Sequence, residues 1–177
     1  LTIGNYNVAV GKDALSTSVD GDHNTAIGYK ALEDYEDVDG SGHNTAVGSK
    51  ALLNSTTGKQ NTAVGSLAMG SGVATGDYNT AIGYSSGLNM VGGANNVMLG
   101  PFAGNALTTG SNNIAIGYAA VSTEDAHGAN VGIGMQALQA LNAGADGHNI
   151  AIGHTAGTVM TTGTNNVLIG SQAGDAL

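Results

Sequence analysis

Cysteine, tryptophan and arginine are missing from the 177 residues, and proline and phenylalanine each occur once. Without cysteine there is no disulfide framework, no thiolate nucleophile and no cysteine zinc site, and the redox compartment is not readable. Four lysines against thirteen acids give a net charge of −9, so nucleic acid and anionic membrane surfaces are not expected as partners, because both need a basic face. Aromatics at 4% and charged residues at 10% do not supply the inventory of a conventional core. No apolar run approaches the ~20 residues of a membrane span, so membrane insertion is not expected. The opening Leu-Thr-Ile-Gly has no basic start of a signal peptide, and the missing initiator Met points to a processed chain or an excised segment.

What is abundant is glycine, with 30 residues, and hydrophobic side chains at 41%. Their spacing is regular. A phrase of Asn, a β-branched residue, a small residue, an aliphatic and Gly begins at Asn7, Asn24, Asn44, Asn61, Asn79, Asn96, Asn113, Asn130, Asn149 and Asn166. Its closing glycines run from Gly11 and Gly28 through Gly153 and Gly170, mostly 17 residues apart. A fixed period of this kind reorganises the whole reading.

The residue after each Asn is Val, Thr or Ile; the next is Ala except at Met98, Gly132 and Leu168; the third is Val, Ile or Leu. Period-two alternation rich in β-branched residues and closed by Gly predicts a short strand. Past the closing glycine comes a second small element, such as Ala14-Leu15, Ala31-Leu32 and Ala51-Leu52, which reads as a second, shorter strand after a tight bend. Thr, Ser, Asp and Gly fill the intervals and mark turns. Two short strands and two bends in ~17 residues describe one coil of a parallel β-solenoid, all-β, with about ten coils over residues 1–177 as a single repeat domain. Ten coils at ~4.8 Å make a rod of roughly 50 Å.

Small residues suit a narrow lumen, so Asn and Ala are expected to point inward, with the asparagines forming an amide ladder. The β-branched and aliphatic positions then form an outward stripe of Val8, Val10, Ile27, Val47, Val64, Ile82, Ile114, Ile116, Ile133, Ile150, Ile152, Val167 and Ile169. Such a stripe exceeds what soluble monomers leave wet. Identical stripes on copies about a threefold axis would cover it, so the expected partner is the chain itself, as a homotrimer. The reverse assignment, aliphatics in the lumen and Asn and Ala outside, stays open at this point.

The segments Asn24 to Leu32 and Leu107 to Ala120 resemble the YadA-type head repeats of trimeric autotransporter adhesins, and still more the longer-period repeats of bacteriophage tail fibres. The resemblance covers all ten repeats. It implies a left-handed β-roll, three chains about one axis, and a role as a fibre or adhesin-type head outside the cell or on a virion surface. The ~17-residue period departs from the shorter adhesin repeat.

Candidate sites outside the stripe are few. No Ser, His and Asp set stands apart from the repeat, so no catalytic residues and no cofactor are expected. The acidic run from Glu33 to Asp39 and the recurrent histidines offer only weak metal ligands, Asp37, Asp39, His23 and His43; a solvated loop and a generic polar position account for them better. Tyr29, Tyr84 and Tyr118 follow closing glycines and offer rings that could stack on cell-surface glycans. Asn54-Ser55-Thr56 is an N-glycosylation sequon. Chain start and chain end fall in the same phase of the repeat, with no capping element, which suggests a segment of a longer fibre or coils of successive molecules stacking into a filament.

Overall fold

A computed structural model describes residues 4–36, 41–124 and 126–176. Ten strands of three residues each follow in chain order: β1 (Val8–Val10), β2 (Thr25–Ile27), β3 (Thr45–Val47), β4 (Thr62–Val64), β5 (Thr80–Ile82), β6 (Val97–Leu99), β7 (Ile114–Ile116), β8 (Val131–Ile133), β9 (Ile150–Ile152) and β10 (Val167–Ile169). They form one parallel sheet in the order β1 to β10, each strand pairing with the next. Register never slips: the β-branched residue, the central residue and the aliphatic of one strand lie opposite their counterparts in the next. Nine steps between ten strands make a β-solenoid of about nine turns, and at the parallel-strand spacing the sheet is about 43 Å long. No helix occurs among the described residues. Each coil is numbered below by the strand it carries.

The central strand residues point into the coil and are fully buried at Ala26, Ala46, Ala63, Ala81, Ala115 and Ala151. The flanking residues face outward and are half-buried or exposed. This settles the direction of the faces in favour of an Asn and Ala lumen, and the aliphatic positions lie outside.

The segment after each closing glycine is not the second strand that the Ala-Leu pairs predict. It is a run of turns. The residues two and four places after the glycine have positive φ, as at Lys30 (55°) and Leu32 (50°) or Phe102 (59°) and Gly104 (56°). Alternating left- and right-handed residues cannot extend. The alternation sends successive N–H groups to opposite neighbours instead: Lys30 donates to the Lys12 carbonyl of the coil before, and Leu32 to the Ala51 carbonyl of the coil after. Left-handed non-glycine residues cost of order 1 kcal/mol each, and that cost is offset where their N–H groups reach carbonyls of the neighbouring coils, as Lys50 reaches Tyr29 and Leu52 reaches Ala68.

Two columns of residues explain why the period holds. The closing glycines stack on one another, with φ near 130°. A Cβ at Gly117 would lie 2.6 Å from the Gly134 carbonyl oxygen, a contact with backbone that nothing can relieve. The asparagines form a continuous ladder. The Asn7 Oδ1 accepts the Asn24 backbone N–H at 2.7 Å, and the same bond repeats link by link to Asn149 and Asn166. The Nδ2 of Asn7, Asn44, Asn61, Asn79, Asn96 and Asn149 donates to a glycine carbonyl in the loop that follows. Asparagine is needed here because one side chain must both accept and donate; Asp supplies no donor and Leu supplies neither.

The lumen is completed by Leu15, Leu32, Leu52, Met69, Val121 and Leu138, four places after the closing glycine and all buried. Where that position is Gly87, Gly104 or Gly157, a larger residue replaces the strand alanine nearby. The Met98 Sδ lies 2.8 Å from where a Gly87 Cβ would stand, and the Leu168 Cδ1 lies 2.9 Å from that of Gly157. The converse holds at Gly132, whose added Cβ would meet Val121 Cγ2 at 2.6 Å. The three departures from alanine in the repeat are therefore volume exchanges across the lumen, as close packing demands.

Candidate interaction surfaces

The outward strand residues line the rod in two columns. In the first stand Val8, Thr25, Thr45, Thr62, Thr80, Val97, Ile114, Val131, Ile150 and Val167; in the second, Val10, Ile27, Val47, Val64, Ile82, Leu99, Ile116, Ile133, Ile152 and Ile169. Neighbours shield each side chain from above and below. Even so Ile82, Ile150 and Ile152 remain 37–38% exposed, and Val167 and Ile169 more than 60%. Thr25, Thr45, Thr62 and Thr80 are directly paired, so coils 2–5 carry one hydroxyl column and one aliphatic column. Coils 6–10 carry two aliphatic columns.

The three tyrosines occupy one column, immediately after the closing glycine, but only two belong to a cluster. Tyr84 and Tyr118 flank Phe102 edge to face, with ring centroids 5.3 and 5.9 Å from it. Tyr84 and Tyr118 are about half exposed, and Met135 continues the column at 43%. Exposed Pro101 stands in the same column between the tyrosines. Tyr29 stands apart from them, with the Lys30 Nζ 5.8 Å from its ring centre. Phe102 is not conspicuous in the sequence; it joins the tyrosines because the bend at its left-handed backbone brings it beside residues 16 and 18 positions away.

Tyr6, His23 and His43 precede their repeat asparagines and stack as exposed rings, with centroids 4.8 and 4.7 Å apart. The two imidazoles are parallel to within 4°. Ring-nitrogen lone pairs lie in the ring plane, so those of His23 and His43 run side by side and do not converge on one ion. No group of three or more metal-ligating side chains occurs among the described residues. Asp37 and Asp39 lie outside the described residues.

The rest of the acidic run is spread over different tasks. The Lys30 Nζ donates to both carboxylate oxygens of Glu33 at 2.9 and 3.0 Å, and this hydrogen bond is the main cause of a Lys30 pKa raised above the ordinary lysine value. Asp34 accepts from the Thr17 hydroxyl at 3.3 Å. Tyr35, in the middle of the run, is fully buried in the lumen, against Gly21, where an added Cβ would strike its ring at 2.4 Å.

Several acids have structural roles that the repeat does not advertise. Asp22, Asp77 and Asp146 accept the backbone N–H of Asn5, Lys59 and Gly128 in the coil before, at 2.5, 2.8 and 2.9 Å. Glu124 is fully buried. Its Oε1 accepts the His127 N–H at 3.1 Å and lies 3.2 Å from the His127 Nδ1, while its Oε2 accepts the Ala143 N–H at 3.2 Å. The one available signal is positional, because Glu124 lies seven places after its closing glycine, where Leu107 and Leu141 lie after theirs. Asn54, in the sequon, donates through Nδ2 to the Ser71 carbonyl at 3.2 Å. A cavity of about 250 Å³ lined by Met160, Thr161, Thr162, Gly163 and Asn166 lies beside coil 10. No described helix is long and apolar enough to cross a membrane.

Compared with family models, curated proteins and solved structures, the chain finds no match in any of the three.

Proposed function

We propose that this chain is a structural, non-enzymatic segment of a fibre, tail-fibre or adhesin-type, outside the cell or on a virion surface. In this reading three copies associate about a common axis through the outward strand face. A left-handed coil accompanies this reading. The observation that carries it is the unbroken pair of outward columns on a rod whose lumen is already filled by its own Ala, Leu, Met and Asn side chains. Such a face, with a Val or Ile worth ~1.5–3 kcal/mol when buried, is stabilised by a partner and has no intramolecular use. A stiff rod with side-chain rows at a constant rise suits projection or display and calls for no reacting group.

Sedimentation equilibrium on the full chain tests the proposal. The expected mass is three times 17.3 kDa, and Ile116→Asp with Ile152→Asp is expected to dissociate it. A single-chain mass at high micromolar concentration would overturn the trimer.

A further inference from the structure

We infer that a second copy of this chain docks on coils 5–9 through a band three columns wide, and that the threonine-bearing coils 2–4 add little to the association. The inference rests on the self-association proposed above and says where its strength resides. Along coils 6–9 both outward strand columns are aliphatic: Val97 and Leu99, Ile114 and Ile116, Val131 and Ile133, Ile150 and Ile152. The column after the closing glycine runs beside them and holds an uninterrupted run of Tyr84, Pro101, Tyr118 and Met135 over coils 5–8, with Phe102 packed among the rings, before the exposed His154 at coil 9. In coils 1–4 the same column holds Lys12, Tyr29, Ser49 and Ser66.

The charged side chains lie off the band. All four lysines, at 12, 30, 50 and 59, precede coil 5, and no Asp, Glu or Lys stands on the outward columns of coils 5–9. Two chains that each carry −9 can approach over the band without bringing like charges together or stripping water from an ion pair. The band is about 24 Å long and about 17 Å wide, roughly 400 Å² per copy by strand spacing and side-chain reach. That is the size at which an exposed apolar patch marks an interaction site. Prolonged along the rest of the strip it reaches roughly 700 Å², near the ~800 Å² that each partner brings to a specific interface.

Periodicity selects the occupant. The band offers one row of side chains every ~4.8 Å over five coils, and its grooves are filled without gaps by a partner with the same rise and the same row order. A parallel copy of the rod meets that condition by construction. The tyrosine edge of one sheet then lies against its neighbour, the heterologous contact that a closed threefold ring requires.

The test compares two triple variants of the full chain by sedimentation equilibrium, each checked for folding by urea unfolding. One carries Ile114→Thr, Tyr118→Ser and Val131→Thr; the other carries Tyr29→Ser, Val47→Thr and Val64→Thr. Threonine already occupies the first outward column at residues 25, 45, 62 and 80, so residues 114 and 131 tolerate it without loss of the coil. The first variant is expected to raise the dissociation constant at least about 100-fold and the second by less than about 10-fold. Equal losses, or a larger loss in the second, would overturn the localisation while leaving association intact. A monomeric wild type would overturn the association itself. Unchanged association of the first variant together with lost binding on a glycan array would assign the aromatic ridge to saccharide and overturn the inference.

Discussion

Coils 2–5 and coils 6–10 share the same interior frame and differ in their exteriors. In both, the asparagine ladder runs without a missing link, the closing glycines stack, and a small or compensating residue fills the lumen. Outside, Thr25, Thr45, Thr62 and Thr80 give way to Val97, Ile114, Val131, Ile150 and Val167. The fold is thus carried by inward and bend positions alone, and the outward column is free to vary. A Thr and a Val of similar shape occupy the same pleat, but the hydroxyl keeps its water and the methyl group gains from burial.

Breaking the shared interior is expected to affect both regions alike. Gly117→Ala and Gly48→Ala each place a Cβ 2.6 Å from a carbonyl oxygen of the next closing glycine, at φ of 125° and 132°. Each is expected to cost more than about 3 kcal/mol in urea unfolding. A marked difference between the two would mean that the coils are not mechanically equivalent. Next in size is the ladder. Asn61→Asp removes the Nδ2 donor to the Gly76 carbonyl and leaves a buried charge, for an expected loss of about 2–4 kcal/mol at neutral pH.

The lumen exchange sharpens the comparison. Met98→Ala opens a cavity beside Gly87 and Gly104 and is expected to cost about 2–4 kcal/mol. Adding Gly87→Leu restores the pattern of coils 2 and 3, where Leu32 and Leu52 face strand alanines. The double variant is expected to recover at least about 1 kcal/mol of that loss, measured as a double-mutant cycle. No coupling would mean that the cavity is filled by collapse of the walls.

The smaller effects concern the exterior. Thr45→Val with Thr62→Val makes the first region resemble the second; association is expected to tighten while the unfolding curve of the dissociated chain moves little. Smallest of all is Lys30→Ala. It removes a part-buried ion pair with Glu33 at the rod surface, whose Coulomb attraction water still screens, and only a marginal change in the unfolding midpoint is expected. A larger shift would show that charge stabilises the first region more than a screened surface pair does.

The repeat made much of this legible. Ten three-residue strands fall between the asparagines and the glycines, because alternation and a closing glycine are local signals that need no partner to be read. The acidic residues of the turns were harder. Asp22 and Asp77 lie in loops like any solvated acid, and only the stacking of coils brings them to a backbone N–H 17 and 18 residues earlier. The aromatic ridge was half visible: Tyr84 and Tyr118 share a column with Tyr29, but Phe102 joins only two of them.

By itself the sequence determined the period, the strand positions and the chemistry of each column, since these depend on residue types at fixed spacing. The tertiary structure alone decided the left-handed bend that replaces the second strand. Nothing in Lys30, Leu67 or Phe102 favours positive φ, and it is the carbonyl of the adjacent coil that makes that conformation the one with a paired N–H. It alone also set Gly87 against Met98 and Glu124 against Ala143, residues 11 and 19 positions apart along the chain. Such contacts arise from the closure of a coil and the rise to the next one, and a linear pattern records neither.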